Sequence, residues 1–156
     1  MPDSSPNAAP KRSPVALENC GMSRAADLIG DRWTLLIIRE ALYGVTRFDA
    51  MHEDLGAPRT VLSGRLKKLC EIGVMTKRPY KEPGKRVRHQ YVLTSKGVEL
   101  AVPLIALMQW GDKNFRDDRP PAKIIERKTG APCHVGLVTE QGAPVEIGET
   151  TFKINQ

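Results

Sequence analysis

No run of about 18 or more apolar residues occurs in this 156-residue chain, so no segment is long enough to cross a bilayer as a helix. The opening MPDSSPNAAPKRSP lacks the apolar centre of a secretory signal. It reads as a disordered Pro/Ser/Ala tail over residues 1–17, which makes the cytoplasm the expected compartment. Cysteine is scarce: Cys20, Cys70 and Cys133 are scattered and odd in number, which argues against a disulfide framework and for free thiols. Neither GxGxxG nor GxxxxGKS/T is present, so no phosphate-binding loop is expected. His52, His89 and His134 form no triad signature with the cysteines, and Cys133-His134 has no second ligand pair at metal-site spacing. The expectation is a protein with no catalytic centre, no cofactor and no metal. Internal repeats are also missing, and the length suits one domain.

What is abundant is positive charge. The chain carries a net +6, and residues 56–90 alone hold 10 Lys/Arg against Glu71 and Glu82, a local +8. Residues 120–156 hold 4 basic and 4 acidic residues and are neutral. A concentrated basic segment favours an acidic partner, whereas the same charges spread around the surface would signify only solvation.

Periodicity places that segment on particular elements. Asn19 or Ser23 starts a helix to about Ile29, closed by Gly30 at a C′ position; Asp31 caps a second over Trp33 to Tyr43, stopped by Gly44. Thr46 with Asp49 resembles a capping box for a short helix to Leu55, ended by Gly56. Pro58 at N1 opens a longer helix to about Ile72, where Gly73 stops it. From Val74 the period falls to about two: VMTKRPY and RHQYVLT read as strands joined by the basic loop KEPGKRV. Thr94 or Ser95 then caps a long helix to Phe115, in which Pro103 predicts a kink or an offset start.

The apolar stripe of that last helix, with Leu100, Leu104, Leu107 and Trp110, exceeds what one thin layer requires and predicts a dimer interface. Beyond Pro120, the runs AKIIERK, CHVGLVTE and PVEIGETTFKI are β-prone and too few to hold their own core. Residues 120–156 are therefore expected as a small β-rich extension packed on the main body, residues 18–119, or on a dimer mate. The expected fold is mainly α with small β elements: a winged helix-turn-helix, a long C-terminal dimerisation helix and a β-rich appendage.

Helix, tight turn, longer helix and basic hairpin is an order suited to placing one helix in the DNA major groove and a ribbon on the backbone. At 100° per residue, Leu62, Leu66 and Leu69 fall within about 60° of one another, and Thr60, Ser63, Gly64 and Lys67 share the opposite face. Thr60 and Ser63 offer short hydroxyls, Lys67 reaches guanine acceptors or phosphate, and Gly64 leaves room for close approach. Arg59 flanks this face, Lys68 faces phosphate or solvent, and Arg65 points partly inward, as suited to an internal ion pair as to DNA. Lys85, Arg86 and Arg88 in the ribbon suit phosphate contact. The alternative is a dimeric ligand-sensing or protein-interaction module that binds DNA weakly; such a module needs neither the polar helix face nor the ribbon cations.

The stretches LIGDRWTLLIIREALYGVTRFDAMHEDLG, VLSGRLKKLCEIGVMTKR and YVLTSKGVEL resemble the HxlR family of bacterial winged-helix transcriptional regulators over about Cys20 to Asp117. The resemblance rests on Ile29-Gly30 ahead of Arg32-Trp33, Arg47-Phe48, the Leu62 to Leu69 spacing, and Leu93-Thr94 with Gly97. It implies a homodimer joined through the first and last helices, bound to a pseudo-palindromic operator in double-stranded DNA and acting as a repressor. Several members place a sensing cysteine near Cys20, although Gly21 stands where the family often has Pro, and Gly64 where it often has Gln or Asn. Two signal routes follow: thiol modification at Cys20, or a small-molecule effector in an apolar cavity lined by Trp33, Met108 and Trp110.

Overall fold

The structure is a computed structural model and describes residues 12–154. The tail expected over 1–17 lies outside the described residues as far as residue 11, and at Leu17 the chain enters a short 3-10 helix, Leu17–Asn19. Helix α1, Gly21–Ile29, buries none of its residues. Gly30 does not adopt the left-handed conformation expected of a C′ glycine: its φ is −73°, and a Cβ there would lie 2.5 Å from the Ala26 carbonyl oxygen. Close approach, rather than backbone handedness, is what asks for glycine.

Helix α2, Arg32–Leu42, starts where Asp31 caps it; the carboxylate accepts from the Thr34 amide at 3.2 Å and the Thr34 hydroxyl at 2.6 Å. Helix α3, Phe48–Leu55, ends at Gly56, whose φ of +62° is the left-handed turn that glycine allows. The capping box expected ahead of α3 does not form. Arg47 occupies the N-cap without a side-chain bond, and the Thr46 hydroxyl instead donates to Gln90 Oε1 at 3.0 Å. Helix α4 spans Arg59–Glu71, with Pro58 at its N-cap, one position earlier than expected.

These helices enclose one core. Ile37 and Ile38 of α2, Met51 of α3, Ala57 of the turn, and Leu62, Leu66 and Leu69 of α4 are all fully buried, closed below by Val74 and Met75. Each large side chain removed from water in this way contributes about 1.5–3 kcal/mol before the cost of ordering it. Strand β1, Met75–Tyr80, runs antiparallel to β2, Arg88–Leu93, with Met75 opposite Leu93 and Tyr80 opposite Arg88. A third rung joins them: Arg47 bridges Gln90, and the Tyr91 amide donates to the Thr46 carbonyl at 2.7 Å.

The expected long last helix is split into α5, Ser95–Val98, and α6, Ala101–Phe115. Pro103 sits in the first turn of α6, where its missing N–H costs nothing, so the offset start is the outcome. Gly97 lets α5 close on the hairpin, since a Cβ there would stand 2.1 Å from the Val74 carbonyl oxygen. This turn points Leu100 and Leu104 back onto the core of their own chain; Leu107 and Trp110 stay more than half exposed. The appendage holds far less strand than expected: β3, Leu137–Val138, pairs with β4, Pro144–Val145, and Ile125 bridges Pro132. Among the described residues this ribbon has no third strand or covering layer, which leaves β-prone side chains nothing to bury against. The whole is an α+β, winged-helix-like fold with a small C-terminal hairpin. Among the described residues no helix is long and apolar enough to cross a membrane.

Arg65 ties α4 to the start of α2, its Nε lying 3.1 Å from Asp31. Burial pushes the Asp31 carboxyl up, but the Thr34 hydroxyl and amide and the Arg65 charge outweigh it and hold it below its ordinary value. Because the folded value is depressed, this contribution is complete above the ordinary carboxylate range near pH 4 and is lost as pH falls through the folded value. Asp31→Ala is expected to cost about 1–2 kcal/mol at pH 7, and Asp31→Asn, which still caps but cannot pair, less than about 1 kcal/mol. In urea titrations the gap between wild type and Asp31→Asn should close as pH is lowered below 4; a gap that persists there refutes the ion-pair assignment.

Candidate nucleic-acid interface

Burying three leucines on one side of α4 leaves the other side to solvent. Thr60, Ser63, Gly64 and Lys67 are all exposed on that side, as the spacing predicts. A Cβ built on Gly64 would meet open space, so nothing within the chain excludes a side chain there. Lys67 lies 3.8 Å from Glu71 one turn on, a solvent-exposed pair. Arg65 and Lys68 belong elsewhere. Arg65 makes the internal ion pair with Asp31 described above, and the Lys68 ammonium donates to the Asp27 carbonyl at 3.0 Å, pinning α1 to α4.

Arg59 begins α4 and stands 2.9 Å from Asp49, its guanidinium 4.9 Å above the Phe48 ring. Arg88, the first residue of β2, reaches the same carboxylate at 3.5 Å. One acid on α3 therefore gathers the start of α4 and the loop end of the hairpin. The Arg59 hydrogen bond, with the Arg59 and Arg88 charges behind it, holds the Asp49 carboxyl below its ordinary value. Glu82 repeats the device in the ribbon: Lys85 is 2.7 Å away and Arg47 2.6 Å, and these contacts, Lys85 first, depress its carboxyl. Arg47 also lies over the Tyr80 ring at 4.5 Å, fastening the ribbon to the start of α3. Arg86, at the ribbon tip, has no ion-pair partner among the described residues, and neither do Arg78 and Lys81. The loop 81–87 thus carries its cations on a turn whose Gly84 has φ +74°.

Spacing rules missed Asp49 and Glu82, because Arg59 and Arg88 for the one and Arg47 for the other lie far along the chain. His52 was missed too; its Nδ1 lies 2.8 Å from the Ala57 carbonyl and steadies the turn between α3 and α4.

Cys20 stands at the N-cap of α1, half-buried, as its position near that helix implies. Burial pushes the Cys70 thiol up, away from thiolate chemistry. Met108 and Trp110 line an open cleft of about 750 Å³ between α6 and the appendage, with Ile124, Cys133, His134 and Val135 on the facing wall. Trp33 is not part of it; that ring packs beside the core under the Arg32 guanidinium, 4.4 Å from its centroid. Gln109 spans the cleft floor, donating to the Cys133 carbonyl and accepting from the Val135 amide, both at 2.9 Å.

Comparison with known proteins points one way. A family profile described as HxlR-like helix-turn-helix matches residues 28–119. The chain is 43% identical over 114 residues to the uncharacterized HTH-type transcriptional regulator Rv3095 of Mycobacterium tuberculosis, covering 72% of this chain and 71% of that one. Among solved structures it is similar to PA1607, a candidate transcription factor, with a TM-score of 0.74 and 34% identity over 87% of this chain and 95% of that one. It is also similar to the reduced form of the transcriptional regulator YodB from B. subtilis, with a TM-score of 0.52 and 27% identity over 64% of this chain and 98% of that one.

Replacing Asp49 by Asn releases two arginines and removes one negative charge from this face. The variant is expected to elute from heparin at higher salt than wild type while its urea midpoint stays close to that of wild type. Co-elution of the two proteins would show that Asp49 does not set the potential of this surface.

Proposed function

This chain belongs to the HxlR-like helix-turn-helix family, and we propose that it is a dimeric, sequence-specific DNA-binding regulator of transcription, most simply a repressor. The observation that carries the reading is the exposed face of α4, with Thr60, Ser63, Gly64 and Lys67, inside a segment of net charge +8. Such a helix suits base edges in the major groove, and the ribbon cations Lys85, Arg86 and Arg88 suit the phosphates beside it. Residues 18–119 act as the DNA-binding and self-association unit and 120–156 as its extension. Self-association is supported by α1 and α6, neither of which buries a residue fully, and by exposed Met22, Leu107 and Trp110. A two-fold dimer presents two copies of α4, which calls for a pseudo-palindromic operator.

Two signals fit the described geometry. A small-molecule effector would occupy the cleft at Met108 and Trp110, displaced from the place expected for it at Trp33. A thiol signal would act at Cys20, and the likeness to the reduced form of YodB supports that route. Exchanging Cys20 for Ser in the full chain separates them. Loss of oxidant-driven release from DNA identifies the thiol route, and an unaltered response to every releasing compound eliminates it.

Contact type is tested by selecting duplexes from a random pool with the full chain, then titrating variants across salt. Gly64→Ala is expected to stabilise the fold by about 1 kcal/mol through helix propensity and yet to weaken the selected site, because the methyl group enters the gap at the groove. Ser63→Ala and Lys67→Ala should shift preference at particular base pairs. Arg86→Ala should weaken selected and random duplexes alike and lower the salt slope by about one unit. A pool that yields no enriched sequence refutes specific recognition.

A further inference from the structure

We infer that the appendage, residues 120–154, is an arm that buries its apolar side chains against a second copy of this chain, extending the α1/α6 face into one larger interface. The inference rests on the dimeric reading above and goes beyond it by naming what covers the appendage. From Arg116 to Ile154 no residue is buried and only Ile124 and Val145 reach partial burial. Leu137, Val138, Ile147 and Phe152 are 48%, 65%, 77% and 97% exposed. Yet the middle of the arm is held in place, since both polar atoms of Gln109 are spent on the backbone at Cys133 and Val135. The ribbon beyond that clamp is presented rather than packed.

The area supports a covering partner. The accessible surface is 12832 Å², against roughly 7,800 Å² expected of a compact monomer of this mass. Allowing roughly 2,000 Å² for the thirteen residues outside the described range leaves an excess of roughly 3,000 Å². A standard interface needs only about 800 Å² per partner, so an excess of this size is ample for one interface that includes the arm. Charge points to a like partner: two copies repel through their basic faces, whereas residues 120–156 are neutral. The family profile stops at residue 119, whereas the likeness to PA1607 covers 87% of this chain and so takes in part of residues 120–156.

The test uses the full chain. Sedimentation velocity across concentration gives the self-association constant of wild type and of a Val138→Glu/Phe152→Glu double variant, both changes lying at sites exposed within one chain. Hydrogen exchange of residues 137–145 is followed over the same concentrations. The expected result is a dimer that the double variant weakens by at least about tenfold, with exchange protection of the arm rising in step with the dimer fraction. Equal association of variant and wild type, or an arm that exchanges freely in the fully dimeric protein, overturns the arm and leaves the DNA-binding dimer standing. A wild type that is monomeric throughout overturns the dimer as well.

Discussion

Everything on the basic face depends on the seam that buries Leu62, Leu66 and Leu69 against Ile37, Ile38 and Met51. A helix has one rotation about its axis to choose, and three fully buried leucines choose it. Once they are inside, Ser63 and Lys67 have nowhere to point but out. The seam also explains why so small a molecule holds its outer helix firmly: the energetic demand for burial and the geometric demand for an outward polar face are the same demand.

Acidic residues complete what the leucines begin. Asp31 ties Arg65 of α4 to the start of α2, Asp49 gathers Arg59 and Arg88 onto α3, and Glu82 gathers Arg47 and its neighbour Lys85 onto the ribbon. Each exposed pair is worth little as stability. Their effect is positional, because a guanidinium already held by a carboxylate, and by an aromatic ring for Arg59 and Arg47, samples fewer rotamers before any ligand arrives. The positive surface is in this sense arranged by its minority charge.

Much of this was legible from local pattern. Gly44, Gly56 and Gly73 all have positive φ, and the helices end at or just before them; the alternation after Val74 marked the hairpin, and the leucine spacing marked the buried side of α4. What stayed hidden was non-local. Thr46 looked like a cap because its neighbours allow one, but its partner Gln90 lies on β2. Lys68 looked like a surface cation, but the Asp27 carbonyl of α1 is within reach only after folding. Leu100 and Leu104 shared an apolar stripe with Leu107 and Trp110, and only the way α6 docks on the rest of the chain divides that stripe between core and surface. The appendage failed for a related reason: β-propensity describes a residue's fit to a sheet and does not supply the neighbouring strand.

The clamp made by Gln109 has a consequence for how the arm's sequence can drift. It grips main-chain atoms alone, a carbonyl at Cys133 and an amide at Val135, so it reads the path of the chain and none of its side chains. Substitutions at 133–135 that preserve an extended backbone leave the clamp intact, apart from proline at 135, which removes the donor. The other side of the contact has no such latitude: a glutamate at 109 could accept from Val135 but could not donate to Cys133. Constraint therefore falls on one helical residue, and the side chains of the arm are left to be shaped by whatever surface they meet.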